Sequence, residues 1–287
     1  MLSIKSSPRR RPLMFKLLRR ETRDHEQLSK DLRRAATNGE LRLVYQAIVD
    51  ARSEETVAVE ALCRWRHPTR GDIGPNVFIP LAEETGTIAA LGEFVLRQAC
   101  LDARSWPNVI LSVNVSPKQF ESPHFADKIR RTLLETGLPP TRLELELTEN
   151  LLIADFDHAA EKMRALQDVG VRLALDDFGA GYSSLNYLLS LPFDKLKIDR
   201  LFVSKIDTGA ASAAIIHAIV SIGRALGMHV TAEGVETAEQ QQFLKVAGVH
   251  SFQGFRFCVP VAAVEISERL AAEDQARADA LRQRARA

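Results

Sequence analysis

Cysteine is scarce in this 287-residue chain: there are three, Cys63, Cys100 and Cys258, widely spaced and odd in number. That excludes a disulfide framework and a CxxC metal clip, and it suits a reducing compartment such as the cytoplasm. Long apolar runs are also missing. The longest apolar stretch without a charge, Thr208–Gly223, carries His217 and falls short of the ~20 residues that span a bilayer. The seven histidines do not gather at one motif. No low-complexity segment and no sharp repeat is present, and 46% hydrophobic with 26% charged residues excludes disorder as the main state.

Net charge is nearly absent too, at +1, but that balance hides an asymmetry. Residues 1–40 hold 11 basic and 5 acidic side chains, so the remainder is acidic. The first twenty residues include Arg9, Arg10, Arg11, Arg19 and Arg20 and no acid. We read 1–23 as a basic, flexible leader. It lacks the apolar region of a secretory signal, and a membrane or nucleic-acid contact would need a defined motif that it does not contain.

From Leu41 onward, short β-like runs alternate with helix-length stretches. The runs are 41–49, 57–65, 109–115, 142–148, 171–177, 194–199, 229–234 and 249–254, and the helical stretches 76–104, 123–136, 155–169, 183–190, 210–227 and 237–247. Four of the helical stretches close on Gly137, Gly170, Gly227 and Gly248. Eight β-α units predict an α/β fold, a (β/α)8 TIM-like barrel over residues 24–272, followed by a polar helix end or tail at 273–287. Only residues 50–56 join the first two runs, too few for a crossover helix, so the first strand should be antiparallel.

Side chains alternate along a strand, which sorts each run into two faces. One face collects Glu60, Leu62 and Arg64; Ser112 and Asn114; Glu144 and Glu146; Asp176; Lys197 and Asp199; Thr231 and Glu233; Ser251 and Gln253. A single acid after a strand is ordinarily a solvated loop residue or a helix N-cap. Seven polar strands in phase at the catalytic end of a barrel are a different matter, because carboxylates crowded together repel unless cations neutralise them. Carboxylate and amide oxygens suit Mg2+ or Mn2+. Adjacent Asp176 and Asp177 can bridge two ions, as in two-metal phosphodiester hydrolysis, with Lys197 and Arg64 facing phosphate oxygens. The rival use of Lys197, a Schiff-base lysine, does not call for so many acids.

The segments Glu60-Ala61-Leu62, Asn114, Glu146-Leu147-Thr148-Glu149, Asp176-Asp177-Phe178-Gly179, Lys197-Ile198-Asp199, Glu233-Gly234-Val235-Glu236 and Gln253-Gly254, in this order, resemble the EAL-domain cyclic di-GMP phosphodiesterases from about residue 24 to 265. The resemblance implies hydrolysis of cyclic di-GMP to linear pGpG with two Mg2+ or Mn2+ ions. Glu60, Asn114, Glu146 and Asp176 would hold one ion, and Asp176, Asp177 and, through water, Glu233 the other. Lys197 would orient the nucleophilic water and Glu233 would be the base. Gln46, Leu62, Arg64, Glu236 and Gln253 would line the substrate. Glu149 would brace the loop 177–184, with Gly179 and Gly181, at a homodimer interface. Ala180 and Ala47 depart from the family's usual threonine and proline. No cyclase segment of the GGDEF type lies in these residues, which fits a free-standing or an excised enzyme. Two other readings are a receptor that binds the dinucleotide without cutting it and a catalytically silent scaffold.

Overall fold

The computed structural model describes residues 24–149, 156–179, 185–206 and 210–284. The leader 1–23, Ala180 and Gly181 lie outside them. The described residues form two compact units: those within 43–63 and 92–284, and those within 24–42 and 64–91.

The larger unit is the barrel. Its strands are β1 (Leu41–Asp50), β2 (Thr56–His67), β4 (Ile110–Val115), β5 (Leu143–Thr148), β6 (Arg172–Phe178), β7 (Lys195–Ile198), β8 (His229–Ala232) and β9 (Ser251–Gln253). They pair in the order β1-β9-β8-β7-β6-β5-β4-β2, and β2 pairs back to β1, which closes the sheet. Neighbours from β2 round to β9 are parallel, whereas β1 runs antiparallel to β9 through Ile48↔Gln253. The short 51–55 connection thus has the consequence read from its length: a turn of five residues can only reverse the chain.

Leu111, Val113, Leu143, Leu145, Leu147, Leu173, Leu175, Leu196, Ile198 and Val230 are all buried and belong to one apolar core. Because successive strand residues point to opposite faces, this leaves Ser112, Asn114, Glu144, Glu146, Asp176, Lys197 and Thr231 for the barrel interior. The intervening helices supply the other side of the core. Phe125–Thr136 places Phe125, Ile129 and Leu133 on one buried stripe and stops at Gly137, whose N–H reaches Leu133 O. Gly170, Gly227 and Gly248 also have positive φ, as expected of helix ends. No helix among the described residues is long and apolar enough to cross a membrane.

In the smaller unit the helix at 24–35 is joined by the outer end of β2, the three-residue strand β3 (Gly71–Ile73) and the helix Pro75–Glu84. β3 pairs antiparallel with Trp65–His67. Buried Trp65 meets Phe78 edge-on at 6.1 Å and donates from Nε1 to Glu40 Oε2. His67 contacts Asp31 at 3.2 Å.

One expectation changes. The helical stretch 76–104 is two helices, Pro75–Glu84 and Ile88–Ala103. Gly86 takes φ +70 between them, a left-handed value that ends an α-helix, and the hydroxyls of Thr85 and Thr87 pair at 3.0 Å. The stretch from 273, expected as a polar helix end or tail, falls over its described residues on the end of the helix Ala263–Arg284. Its residue Glu273 accepts from Thr56 N and Thr56 Oγ1, both at 2.9 Å, which ties the helix to the start of β2.

Candidate functional site

The strands of the barrel end in a cluster of opposite charges around one lysine. Lys197, near the end of β7, is 1% exposed. Its Nζ lies 2.7 Å from Glu146 Oε2 on β5, 2.5 Å from Glu233 Oε1 just past β8 and 3.4 Å from Asp176 Oδ1 on β6. Glu60 on β2 accepts from Asn114 Nδ2 at 2.5 Å and from Gln253 Nε2 at 2.5 Å. Gln253 also donates to Gln46 Oε1 at 3.1 Å, while Gln46 Nε2 donates to the Cys258 carbonyl. The fold therefore brings together Glu60, Asn114, Glu146, Asp176, Lys197, Glu233 and Gln253, which alternation put on one face, and Gln46, which the resemblance implied.

Asp177 needs a separate explanation, because strict alternation would turn it away from Asp176. The ladder between β6 and β7 pairs Leu175 with Leu196 and then Phe178 with Ile198, so two residues oppose the single Lys197. This is a β-bulge, and Asp177 sits in it at φ +55. The extra residue re-aims the side chain, and carboxylate oxygens of Asp176, Asp177 and Glu233 all come within 4.8 Å of one another. A left-handed aspartate is uncommon and costs conformational energy, which the contacts of the two flanking strands offset.

The electrostatics follow from burial. Desolvation raises Glu146 well above the usual carboxylate range, and Glu60, Asp176 and Glu233 add to the rise against the pull of Lys197. Glu233 is pushed to about 8, by desolvation first and then by Asp176 and Glu60. Asp177 reaches about 6 through desolvation, Asp176 and a hydrogen bond with Asp199. Glu60 goes the other way. Burial opposes its charge, but Lys197 and the amides of Gln253 and Asn114 prevail and hold it low. Desolvation works against the ammonium of Lys197, yet four carboxylates keep it protonated far above its ordinary value.

One rung below lies a second buried pair that the functional reading of the sequence passed over. Lys195 Nζ donates to Glu144 Oε1 at 2.6 Å, and Ser112 Oγ stands 3.1 Å from Glu144 Oε1 and 2.6 Å from Glu146 Oε1. These residues sit two positions before Lys197, Glu146 and Asn114 on the same faces. The period of two already put Ser112 and Glu144 on that face; carried one step back from Lys197, it would have found Lys195 as well.

Leu62 is half-buried on β2, and Arg64, partly exposed, belongs to the smaller unit. Glu236 is exposed on the approach to the helix Ala238–Ala247, and its backbone N–H donates to Gln240 Oε1. Glu149 is buried just past β5. Gly179 packs against the Phe202 ring at φ +94, and the remainder of the loop, with Gly181, is outside the described residues. Gly254, after β9, is required by a close approach: a Cβ there would stand 2.1 Å from Val235 O and 2.3 Å from Val235 N. That contact fixes Gln253 beside the loop that carries Glu233, with Val235 N donating to Gln253 O.

Five carboxylates and one ammonium carry a formal charge of −4 at the mouth, which two divalent cations would cancel. The donors are oxygens only, and Gln253 Oε1 is buried without a hydrogen-bond partner among the described residues. The residues fit hard cations such as Mg2+ or Mn2+. Fold and site together define a class: (β/α)8 barrels with an acidic, cation-ready mouth at the C-terminal strand ends.

Comparison with known proteins narrows this class. The EAL domain family model matches residues 29–260, and the chain belongs to that family. It is 43% identical over 245 residues to the bifunctional diguanylate cyclase/cyclic di-GMP phosphodiesterase MucR of Pseudomonas aeruginosa, covering 84% of this chain and 36% of that protein. The solved PaMucR phosphodiesterase in complex with c-di-GMP is similar at TM-score 0.81 and 43% identity, over 84% of this chain and 99% of that one. The manganese/cy-diGMP complex of Klebsiella pneumoniae BlrP1 matches at TM-score 0.69 and 33% identity, over 77% of this chain and 56% of that one. The chain spans only about a third of the length of the first curated relatives it matches.

Proposed function

We propose that this chain hydrolyses cyclic di-GMP to linear pGpG at the carboxylate mouth, with two divalent ions, Mg2+ or Mn2+, held there. The observation that carries the reading is the convergence of Glu60, Glu146, Asp176, Asp177 and Glu233 around Lys197 in an excess of negative charge that attracts cations. Glu60, Asn114, Glu146 and Asp176 would hold one ion, and Asp176, Asp177 and Glu233 the other. When bound, such ions supply Lewis-acid activation of water and of the phosphodiester.

The chain's own residues do the rest. Lys197 keeps its proton and orients a water through Nζ. Glu233, whose carboxyl is disposed to take a proton near neutral pH, accepts one at Oε. The amides of Gln46 and Gln253 stand beside Glu60, where they can hydrogen-bond the substrate, and Leu62 and Glu236 line its approach. The reading includes a homodimer through the region 177–184.

Incubation of the purified chain with cyclic di-GMP and Mn2+, followed by chromatography, should yield pGpG. Glu60→Ala should abolish turnover and weaken Mn2+ binding measured by calorimetry. Tight dinucleotide binding without product would favour a receptor instead, and no binding at all a scaffold.

A further inference from the structure

The other end of the barrel holds a second constellation. There the starts of β8 and β9 and the end of antiparallel β1 border a hollow of about 390 Å3, lined among others by Asp50, Arg52, Arg224, His229, Lys245 and His250. Three of these are permanent cations drawn from three elements: Arg52 from the turn after β1, Arg224 from the last turn of the helix Ala210–Ala225 and Lys245 from the last turn of Ala238–Ala247. Elsewhere on the surface, Arg70, Arg97, Arg130, Arg277 and Arg282 each pair with a carboxylate. Among the described residues, the side chains of Arg52, Arg224 and Lys245 make no such pair.

The single acid in the hollow is already engaged. Asp50 Oδ1 accepts from Arg52 N and Ser53 N, both at 2.9 Å, and from Ser53 Oγ at 3.3 Å. A cation at a helix C-terminus is ordinarily explained by the helix dipole, and that accounts for Arg224 and Lys245 one at a time. It does not account for their meeting Arg52 and two histidines around one concavity, where like charges repel. Of the two histidines, His250 registers that field. Desolvation, with Lys195 and His250 nearby, lowers His229 to about 4, and desolvation with Arg224 and Arg52 lowers His250.

The hollow also has a fixed donor and a seated guanidinium. His250 Nδ1 accepts from Val230 N at 2.9 Å, which assigns the proton of the neutral ring to Nε2. At Gly248 a Cβ would lie 2.7 Å from Arg224 Nη2, so the bare backbone lets the guanidinium rest there. Guanidinium forks match phosphate oxygens two at a time, and the volume falls in the range of ligand pockets.

We propose that this hollow is an anion site for an oligophosphate, gripped by Arg52, Arg224, Lys245 and the His250 N–H, and separate from the carboxylate mouth. The site does not depend on the hydrolytic reading. Its test uses the full chain, metal-depleted so that divalent ions cannot carry phosphate to the acidic mouth, with inorganic pyrophosphate as the probe. Calorimetry should show saturable binding, and the His250 ring nitrogen signals should shift in NMR as the probe is added. An Arg224→Gln/Lys245→Gln double variant with wild-type Tm should bind at least about tenfold more weakly, while Arg282→Gln should bind as wild type does. Should the double variant melt early, Arg52→Gln carries the same expectation from a different element. Absence of saturable binding, undiminished binding by these variants, or citrate binding as tightly as pyrophosphate would overturn the proposal.

Discussion

Lys197→Met isolates what the buried ammonium does for the barrel before any cation binds. The methionine keeps most of the side-chain volume and removes the charge that Glu146 and Glu233 contact at 2.7 and 2.5 Å. Breaking a buried pair by removing one partner costs about 3–5 kcal/mol. Total stability is usually about 5–15 kcal/mol, and each kcal/mol moves Tm by about 2–4 °C in a domain of this size. The variant's Tm at pH 8 without metal should therefore fall by on the order of 10 °C.

The sign of the pH dependence follows from the raised carboxyls. Glu146 lies well above its ordinary range and Glu233 near 8, so lowering the pH protonates them, and a neutral carboxyl does not need the ammonium. The deficit should shrink between pH 8 and pH 5. Mn2+ should raise the Tm of the variant more than that of the wild type, because it restores positive charge to a cluster that has lost its own. Differential scanning calorimetry at the two pH values, with and without Mn2+, reads all three effects. A variant as stable as the wild type at pH 8 without metal would refute the view of Lys197 as the resident counter-ion.

Ser112→Ala should lower Mn2+ affinity by calorimetry about tenfold or more, since hydrogen-bond partners behind metal ligands typically contribute 10–100-fold; unchanged affinity would show that Ser112 does not hold Glu146 in place. His229 is kept neutral in the fold while the unfolded chain protonates near 6.5, so stability should be lost as pH falls from about 6.5 toward 4. The urea midpoint of His229→Gln should fall less than that of the wild type between pH 7 and pH 5. Gly254→Ala drives a Cβ into the Val235 backbone, which cannot rotate away. It should destabilise by about 3 kcal/mol or more, and a denaturation curve overlying that of the wild type would contradict the close approach.

Much of this was readable from two-residue alternation. The apolar partners Leu143, Leu145, Leu147, Leu173 and Leu175 fixed which face of each strand was outward, and the mouth residues followed. The short connection after Asp50 fixed the direction of β1. Alternation could not reveal that Lys197 would sit between Glu146 and Glu233 while Glu60 turned to two amides, because those pairings depend on the stagger between strands. Nor could it reveal β3, since three residues are too few to show a period. The break at Gly86 lay inside an apolar pattern that continues on both sides of it. The basic hollow escaped because Arg52, Arg224 and Lys245 each look like an ordinary surface charge, and only the closing of the barrel brings the ends of their elements together.

The bulge at Asp176 and Asp177 separates what the fold needs from what the chemistry needs. For the ladder between β6 and β7, one residue opposite Lys197 would suffice. The additional residue contributes a second acid to the mouth and no pairing to the sheet. Shortening β6 by that one residue would let Leu175–Leu196 and Phe178–Ile198 pair without a bulge and would take one carboxylate from the mouth, so on the proposed reading the mouth's capacity for cations is written in the length of a strand as much as in the identity of its side chains.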